Sequence, residues 1–248
     1  MFDSDNDCCT NEELLVNLFD TLPCIDDVPE NHFINIFHPQ FPSNEEGIVA
    51  FGGDMSTSRL LAAYASGVFP MPIEGLLLWW SFFPRLIIFP EKAHFSKSLL
   101  QKINTKNYEV KIDTNFRSVI KYCQTIPRPY GWITDDVVEA YIQLHDLGFA
   151  HSFETYENNK LVGGLYGVSI GKMFAGESMF HLQNDTSKIA FFHLIRFAQQ
   201  NNIHFIDCQQ DSKHFRQWGG ELFDKNTFKV ILEKAIAEDS LIGKWNIL

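Results

Sequence analysis

Three polar side chains in the second half of the chain have types and spacings that could do chemistry. Glu177 stands in the middle of the apolar run KMFAGESMFH. A carboxylate among such neighbours is costly to bury unless it is paired, so either a partner or a function is expected. Asp207 and Gln209 lie two residues apart in IDCQ. In a strand, this spacing predicts that both side chains project from the same sheet face.

A carboxylate beside an amide can do specific work. It can hold the amide in one orientation and polarise the amide oxygen as a hydrogen-bond acceptor. The alternative is that each of the three residues is a satisfied polar group at a strand end, and residue types alone leave both interpretations open. The sequence lacks GxSxG, HExxH, P-loop and GxGxxG patterns. The common serine hydrolase, zinc protease and dinucleotide-binding signatures are therefore absent.

The elements that must position these residues follow from the hydrophobic pattern and the turn signals. Three closely spaced strand-like runs predict an antiparallel meander. A helix, a strand that contains Asp207 and a final helix come next, which makes the domain mixed, with an α+β architecture. The predicted helices are 56–67, 134–148, 187–200 and 225–238, and the predicted strands are 86–90, 150–157, 160–170, 173–180 and 204–209.

Charge is distributed unevenly along the chain. The net charge is −11, but residues 1–30 hold nine acidic side chains and no Lys or Arg. We predict that 1–30 is an acidic, mobile extension, in which 14–22 could form a short amphipathic helix. Residues 85–128 hold nine bases against three acids, enough to follow a phosphate backbone. Charge alone favours the alternative, which is a solvated helix face.

Several broad classes are disfavoured by the sequence. The acidic N-terminus is unlike a secretory signal, and the longest apolar passage, 75–90, contains Arg85 and two prolines, so it is a poor membrane span. The five cysteines form no CxxC pair. We therefore expect a cytoplasmic protein with free thiols, no membrane partner, no metal and no cofactor.

Long and unusual strings in the chain resemble leucyl/phenylalanyl-tRNA–protein transferases. The likeness is collinear over roughly 50 to 230. The matching strings are FGGDMSTSRLLAAYASGVFP (51–70), LWWS (78–81), PR (84–85), HFSKSL (94–99), GWIT (131–134), LHDLGFAHSFE (144–154), KLVGGLYGVSIGKMFAGESMF (160–180), SK (187–188) and IDCQ (206–209).

This resemblance implies a fold, an activity and a set of partners. It implies a small N-terminal domain, placed at 31–93, and a GNAT-like acyltransferase domain at 94–248 with a mixed, mainly antiparallel sheet. It implies transfer of Leu or Phe, and of Met less well, from aminoacyl-tRNA to the N-terminal Arg or Lys of a protein. Such transfer marks the acceptor for degradation by the N-end rule (N-degron) pathway.

The resemblance also implies roles for individual residues. Asp207, Gln209 and Glu177 match the residues for catalysis and acceptor recognition, with Asp207 orienting Gln209 and Glu177 pairing with the acceptor's cation. The substrate-binding residues are Trp132 near the terminal adenosine, Met71 where the family usually has Trp, and the hydrophobic pocket residues Leu165, Phe174, Phe191, Leu194, Ala198 and Ile206. The residues predicted to bind tRNA are Arg85, Lys97, Lys102 and Lys188.

Strand alternation adds one geometric expectation. By parity, Phe174 and Glu177 point to opposite faces of their strand, whereas the implied site needs pocket and carboxylate to converge. A β-bulge around Ala175-Gly176 would re-aim the residues that follow it.

Three alternatives remain. A CoA-dependent GNAT acetyltransferase would share the fold, but the R/Q-x-x-G-x-G/A loop that holds a pyrophosphate is absent. A binding module without catalysis would not need Glu177, Asp207 and Gln209 together. A sister transferase that moves Leu onto N-terminal Asp or Glu would place Glu177 against an acceptor of like charge.

Overall fold

The N-terminal part of the molecule is a small three-stranded antiparallel sheet with one helix. The computed structural model describes residues 22–26, 28–29, 47–105, 107–127 and 131–246. Strands β1 (Ile48–Phe51), β2 (Phe69–Pro70) and β3 (Leu78–Trp80) pair in the order β1-β3-β2. Helix α1 (Thr57–Ala65) buries Leu60, Ala63 and Tyr64, which recur at helical spacing on one face.

Part of the predicted mobile extension is packed against this sheet. Ile25 is fully buried, and its N–H donates to the carbonyl of Phe51 at 3.0 Å. The buried guanidinium of Arg59 donates to the carbonyls of Ile25 and Val28. The prediction that all of 1–30 is mobile is therefore corrected for this part, because its apolar side chains find a core. Residues 1–21, with most of the predicted 14–22 helix, lie outside the described residues.

The larger part of the molecule is built on a seven-stranded sheet, counted over the described residues. Its order is β10-β4-β9-β8-β7-β6-β5, and all neighbours are antiparallel except β8 and β9. The strands are β4 (Arg85–Ile88), β5 (Glu109–Ile112), β6 (Ala150–Glu157), β7 (Lys160–Ile170), β8 (Met173–His181), β9 (Phe205–Gln209) and β10 (Glu221–Phe223). The predicted α+β class and the mixed, mainly antiparallel sheet are confirmed.

Strand β4 bears on the predicted domain division. The strand precedes the boundary placed at 93, yet it pairs with β9 and β10 in the large sheet. The chain thus enters the large sheet by Arg85. The division into 31–93 and 94–248 stays a prediction.

Helices cover both faces of the large sheet and create two separate apolar clusters. The helices are α2 (Lys97–Asn104), α3 (Phe116–Thr125), α4 (Asp135–Asp146), α5 (Thr186–Gln200), α6 (Lys213–Arg216) and α7 (Lys225–Ile236), with a 3-10 turn at Pro90–Lys92. Helices α3 and α4 pack in the first cluster, with Tyr166 and Ala175. Helix α5 packs in the second, with Leu165 and Phe174. Within the described residues, no helix is both long and apolar enough to span a bilayer.

The predicted meander and the elements around it are confirmed to within about two residues at each end. Helix α4 illustrates why its boundaries could be predicted. The Thr134 hydroxyl accepts a hydrogen bond from the N–H of Val137, and Asp135 and Asp136 lie in the first turn, where they complement the helix dipole. These local signals do not depend on the rest of the fold.

Candidate active site

The site lies where the parallel strands β8 and β9 separate. Their register runs from Met173↔Phe205 to Ala175↔Asp207. No further pair joins them in the described chain, although β8 continues to His181 and β9 to Gln209. A gap therefore opens between two adjacent strands in the middle of the sheet, and side chains from both strand edges meet there.

Bulges in both strands sit at the start of this gap. Tyr166 pairs with Ser178 and Gly167 with Gly176, so Glu177 is the extra residue of β8. The predicted bulge is confirmed, one residue after the predicted Ala175-Gly176. In β9, Leu86 pairs with Gln209 and Ile87 with Asp207, so Cys208 is the extra residue. A bulge bends its strand and re-aims the side chains next to it.

Glu177 is held by neutral hydrogen-bond donors. The Gln209 side-chain amide donates Nε2–H to Glu177 Oε1 at 3.0 Å. The Tyr141 hydroxyl donates to Glu177 Oε2 at 3.1 Å and is itself hydrogen-bonded to the Tyr64 hydroxyl. Burial raises the pKa of Glu177 to about 7, although hydrogen bonds from the two tyrosines favour the charged form. The carboxyl therefore titrates near neutral pH.

Glu177 and Phe174 nevertheless remain on opposite sides of the sheet. Tyr141, the partner of Glu177, belongs to the first apolar cluster, whereas Phe174 belongs to the second. The sequence predicts that a bulge brings the carboxylate onto the face of the predicted pocket. The observed bulge does not do so. A substrate that contacts both sides would have to pass between β8 and β9, beyond the point where the two strands pair.

Asp207 is engaged by a buried arginine. Arg85 donates from Nε to Asp207 Oδ1 at 2.8 Å and from Nη2 to Oδ2 at 2.6 Å, and each side chain is 2% exposed. This two-point geometry is the strong form of an arginine–carboxylate pair. The guanidinium also lies 5.3 Å from the ring centre of Phe69 and 4.9 Å from that of Phe228.

The link between Asp207 and Gln209 differs from the predicted one. Asp207 Oδ1 accepts the main-chain N–H of Gln209 at 2.9 Å, while the side-chain amide of Gln209 goes to Glu177. The φ of Gln209 is +63°, a left-handed conformation, so simple strand alternation does not apply there. Asp207 therefore holds the backbone that carries the Gln209 side chain, and does not orient its amide directly.

The prediction that Arg85 binds tRNA is also corrected. A guanidinium that is 2% exposed and forked onto Asp207 offers no surface to a phosphate. The sequence could not reveal this partner, because Arg85 and Asp207 are 122 positions apart.

The six residues of the predicted hydrophobic pocket come together in the second cluster. Each is at most 3% exposed. Gly167 is required beside them, since a Cβ there would lie 2.2 Å from the carbonyl oxygen of Ala175 and 2.5 Å from the ring of Phe174. Trp132 and Met71, predicted to lie near an adenosine, are half-buried and pack against the first cluster, on the other side of the gap.

Two of the predicted tRNA-binding lysines converge on one carboxylate. Lys188 Nζ is 2.8 Å and Lys102 Nζ 3.4 Å from the oxygens of Asp185, just before α5. Lys97 is exposed on α2. A cavity of about 350 Å³ lies beside Lys188, and its wall also includes Asp185, Phe95 and Trp218. The rings of Phe95 and Trp218 contact the predicted pocket residue Phe191.

Most other basic side chains in 85–128 are already paired with acids. These ion pairs fit a solvated helix face better than a row of basic side chains that binds a phosphate backbone. The pairs are Lys92–Glu221, Lys111–Glu109, Arg117–Glu139 and Lys121–Asp135. Lys106 and Arg128 lie outside the described residues.

Tyr64 and Tyr141 are site residues that the sequence analysis missed. Each occupies a core-facing helix position and is at most 2% exposed, so the pattern is typical of ordinary packing. Burial and the charge of Glu177 raise the pKa of both phenols well above 10, so they remain donors at any physiological pH. Only their contact with Glu177 distinguishes them from core residues.

Removing one donor provides a test of this arrangement. Tyr141→Phe takes away the hydrogen bond to Glu177 Oε2, so the pKa of Glu177 should rise above about 7. A hydrogen bond to a charged group is worth about 1.5–3 kcal/mol, which corresponds to an increase on the order of one to two units. Carboxyl ¹³C NMR titration of Glu177 measures this change. Tyr122→Phe, on α3 and stacked on Phe180, should leave the titration unchanged.

Within the part of the chain that the structure describes, no group of three or more His, Cys, Asp or Glu side chains could hold an ion.

The candidate site offers an amide, a carboxyl of raised pKa and an apolar cluster, arranged around a gap between two strands. Such groups suit the binding and orientation of an amine beside an apolar group.

Comparison with known proteins identifies the family. The model of the leucyl/phenylalanyl-tRNA protein transferase family matches residues 87–233, and that of its N-terminal domain matches 53–81. The chain is 44% identical to the leucyl/phenylalanyl-tRNA–protein transferase of Thermodesulfovibrio yellowstonii over 84% of this chain and 86% of that protein. It is also 44% identical to that of Myxococcus xanthus, over 85% of this chain and 92% of that one.

Likeness to solved structures is much weaker. An aminoglycoside acetyltransferase from an uncultured soil metagenomic sample is 11% identical, with a TM-score of 0.32, and the match covers 58% of this chain and 98% of that chain. The two family models and the curated relatives, by contrast, cover most of this chain. The chain belongs to the leucyl/phenylalanyl-tRNA–protein transferase family of aminoacyltransferases.

Proposed function

We propose that this enzyme moves Leu or Phe, and Met less well, from aminoacyl-tRNA onto the N-terminal Arg or Lys of a protein, and thereby marks that protein for N-end rule degradation. The observation that carries the proposal is the Gln209–Glu177 hydrogen bond across the β8–β9 gap. In this proposal, the hydrogen bond holds an amide and a carboxyl where the acceptor binds, and the second apolar cluster lies on the opposite side of the sheet. The donor ester would lie in the gap itself.

The proposed reaction needs little acid–base catalysis. An aminoacyl ester is already activated, and a peptide α-amine has a reference pKa of about 7.7–8.0, so a useful fraction is neutral near pH 7. Holding amine and ester in attack geometry can contribute about 7–11 kcal/mol. The amine nitrogen forms the new peptide bond, the ester C–O bond breaks, and the proton of the amine goes to the departing ribose oxygen or to water.

Gln209 orients the attacking amine in this proposal. Its side-chain N–H donates to Glu177, which fixes the plane of the amide, and its side-chain oxygen, the acceptor of the group, receives a hydrogen bond from the amine. Asp207 and Arg85 act through Gln209. They fix its main-chain N–H and hence the origin of its side chain.

Glu177 receives the cationic side chain of the acceptor. A carboxyl with a pKa near 7 is readily ionised by an adjacent guanidinium or ammonium, because an opposite charge favours the charged form. An acceptor that begins with Asp or Glu would be repelled by the same group. This disfavours the sister activity toward acidic N-termini.

The donor side chain enters the second apolar cluster. Such a pocket rejects charged side chains strongly and neighbouring apolar sizes only weakly, since one methylene is worth about 1–3 kcal/mol. Ala198, inside this cluster, is the position that bears on the preference among Leu, Phe and Met, whereas Met71 bears on the adenosine of the donor. Lys97, Lys102 and Lys188 are the proposed phosphate contacts, and their affinity should fall as salt rises.

The reducing cytoplasm is the proposed location. Cys24, Cys123 and Cys208 are free thiols, which suits a reduced compartment. An acetyl-CoA-dependent reaction is the second candidate by fold. It lacks a supporting feature here, because the segment HLQNDTS before and into α5 contains no glycine to cradle a pyrophosphate.

A single assay tests the proposal. Purified protein receives labelled Leu-tRNA, Phe-tRNA or acetyl-CoA together with peptides that begin with Arg, Lys, Asp or Ala. Label from Leu-tRNA and Phe-tRNA is expected on the Arg and Lys peptides only. Transfer to the Asp peptide, or label from acetyl-CoA alone, would replace the proposal with the corresponding rival.

A further inference from the structure

The C-terminal segment inserts a tryptophan into the cluster proposed to hold the donor side chain. Trp245 is 3% exposed and belongs to the same apolar cluster as Phe174 and Ala198. Its ring lies 6.1 Å from that of Phe174 and stacks on Phe197 at 4.5 Å, centre to centre. Trp245 therefore touches one pocket residue directly and the immediate neighbour of another.

Trp245 is fixed in place from several sides. Its main-chain N–H donates to Asp113 Oδ2 at 2.8 Å, and its indole Nε1–H donates to the carbonyl of Leu241 at 2.9 Å. On the face away from Phe197, the ring stacks on His151 at 3.5 Å with 7° between the planes. The same Asp113 oxygen is 2.8 Å from Nδ1 of His151. Two hydrogen bonds and two stacked rings therefore hold Trp245 in place.

Two glycines allow the segment to reach this position. The N–H of Gly243 donates to the carbonyl of Gly148, and a Cβ on Gly148 would lie 2.2 Å from the nitrogen of Gly243. The Ser240 hydroxyl accepts the N–H of Gly171 at 2.7 Å. These contacts hold the segment 240–246 next to the start of β6 and the end of β7, and thereby position Trp245.

We infer that Trp245 is a specificity-determining residue: it is the back wall against which Phe174 and Phe197 rest, and it sets how deep the donor pocket is. The inference rests on the proposed transfer of Leu and Phe. Interiors are close-packed, so the space left by a smaller ring behind Phe174 is partly filled by movement of the front wall. A deeper pocket would favour the longer Phe donor over Leu.

Two variants test this inference by different routes. Trp245→Phe keeps an aromatic ring but shortens the wall. Asp113→Asn keeps the indole but replaces one carboxylate oxygen by an amide nitrogen, so the acceptors of the Trp245 N–H (Oδ2) and of the Ser152 N–H (Oδ1) cannot both remain. Asn tolerates the positive φ of 54° at this position. In both, the ratio of kcat/KM for Phe-tRNA to that for Leu-tRNA is expected to rise about three- to tenfold. The expected change is smaller than the roughly 10–200-fold discrimination between substrates that one methylene in direct contact with the pocket can give.

The control is another buried tryptophan. Trp79 is fully buried in the N-terminal sheet and donates its indole N–H to the carbonyl of Gly52. Trp79→Phe should lower stability and leave the Phe:Leu ratio unchanged. A ratio equal to wild type in both folded test variants would show that Trp245 only fills the core. Absence of Leu and Phe transfer by the wild type would instead refute the proposed function.

Discussion

Replacement of Glu177 by Gln is expected to reduce kcat/KM for peptides that begin with Arg or Lys by at least about 30-fold. The loss of a buried charge partner costs about 2–5 kcal/mol, and 2 kcal/mol corresponds to that factor. Gln is isosteric and can keep the contacts to Gln209 and Tyr141 through a changed hydrogen-bond pattern. Binding of aminoacyl-tRNA should change by less than about twofold, because the donor side chain is assigned to the second apolar cluster and none of the proposed phosphate contacts touches Glu177.

The same variant should change the pH dependence of transfer. The ionised form of Glu177 binds the cation, so below its pKa of about 7 the wild-type rate should fall by up to tenfold for each pH unit. Glu177→Gln removes this part of the pH dependence. Only the ionisation of the acceptor's α-amine, with a pKa of about 7.7–8.0, then affects the rate. A kcat/KM profile from pH 5.5 to 9 with an Arg peptide distinguishes the two ionisations.

Glu177 should make the free energy of unfolding depend on pH in the direction opposite to the transfer rate. Its pKa is raised from 4.5 to about 7 in the folded protein, so the folded state binds more protons than the unfolded state between these values. The free energy of unfolding therefore falls as pH rises from 4.5 to about 7, and part of this fall should disappear in Glu177→Gln. Urea titrations at several pH values measure the difference.

Glu139 provides the matched control. It is 58% exposed and pairs with Arg117 on the surface, so Glu139→Gln should leave acceptor use, tRNA binding and the pH profile unchanged. Equal losses of acceptor use and tRNA binding in Glu177→Gln would refute the role given to this carboxylate. They would indicate a general disturbance of the site.

What could be predicted from the sequence depended on local signals. The meander, α4 and the helix that follows β8 carry turn residues, caps and periodicity that act within a few positions. The unusual position of Glu177 also pointed to a bulge, which the structure contains one residue later. In each case the physical cause lies close to the residue concerned.

What could not be predicted depended on contacts between distant segments. Arg85 looked like a surface cation because its sequence neighbours do not reveal that Asp207 approaches it in the adjacent strand. Tyr64 and Tyr141 looked like core residues because only the packing of α1 against α4 aims their hydroxyls at Glu177. The backbone of Gln209 departs from strand alternation for a similar reason. Its left-handed φ is supported by the carboxylate of Asp207.

Disruption of the Arg85–Asp207 pair is expected to have the largest effect on stability. Arg85→Met should lower the free energy of unfolding by about 3–5 kcal/mol, because it leaves the carboxylate of Asp207 buried without compensation. Asp207→Asn should have a comparable cost, because it leaves the guanidinium unpaired. Each change should also reduce transfer on the order of 10²-fold, as expected when a reacting group is displaced by about 1 Å. Urea unfolding and the transfer assay measure the two effects separately.

The exposed pair Lys92–Glu221 is the control for charge removal. Its side chains are 58% and 42% exposed, so Lys92→Met should cost less than about 1 kcal/mol and leave transfer unchanged.

The double variant Arg85→Met with Asp207→Asn decides what the buried pair does. With neither charge left in the core, most of the lost stability should return, since a buried ion pair is often replaced by neutral groups at little net cost. Transfer should stay low, because the side chain at 207 is no longer held at two points, so the oxygen that accepts the N–H of Gln209 is no longer fixed in orientation. Recovery of both properties would mean that the pair only joins β4 to β9. Recovery of stability alone would mean that Arg85, through Asp207, positions the amide that receives the attacking amine.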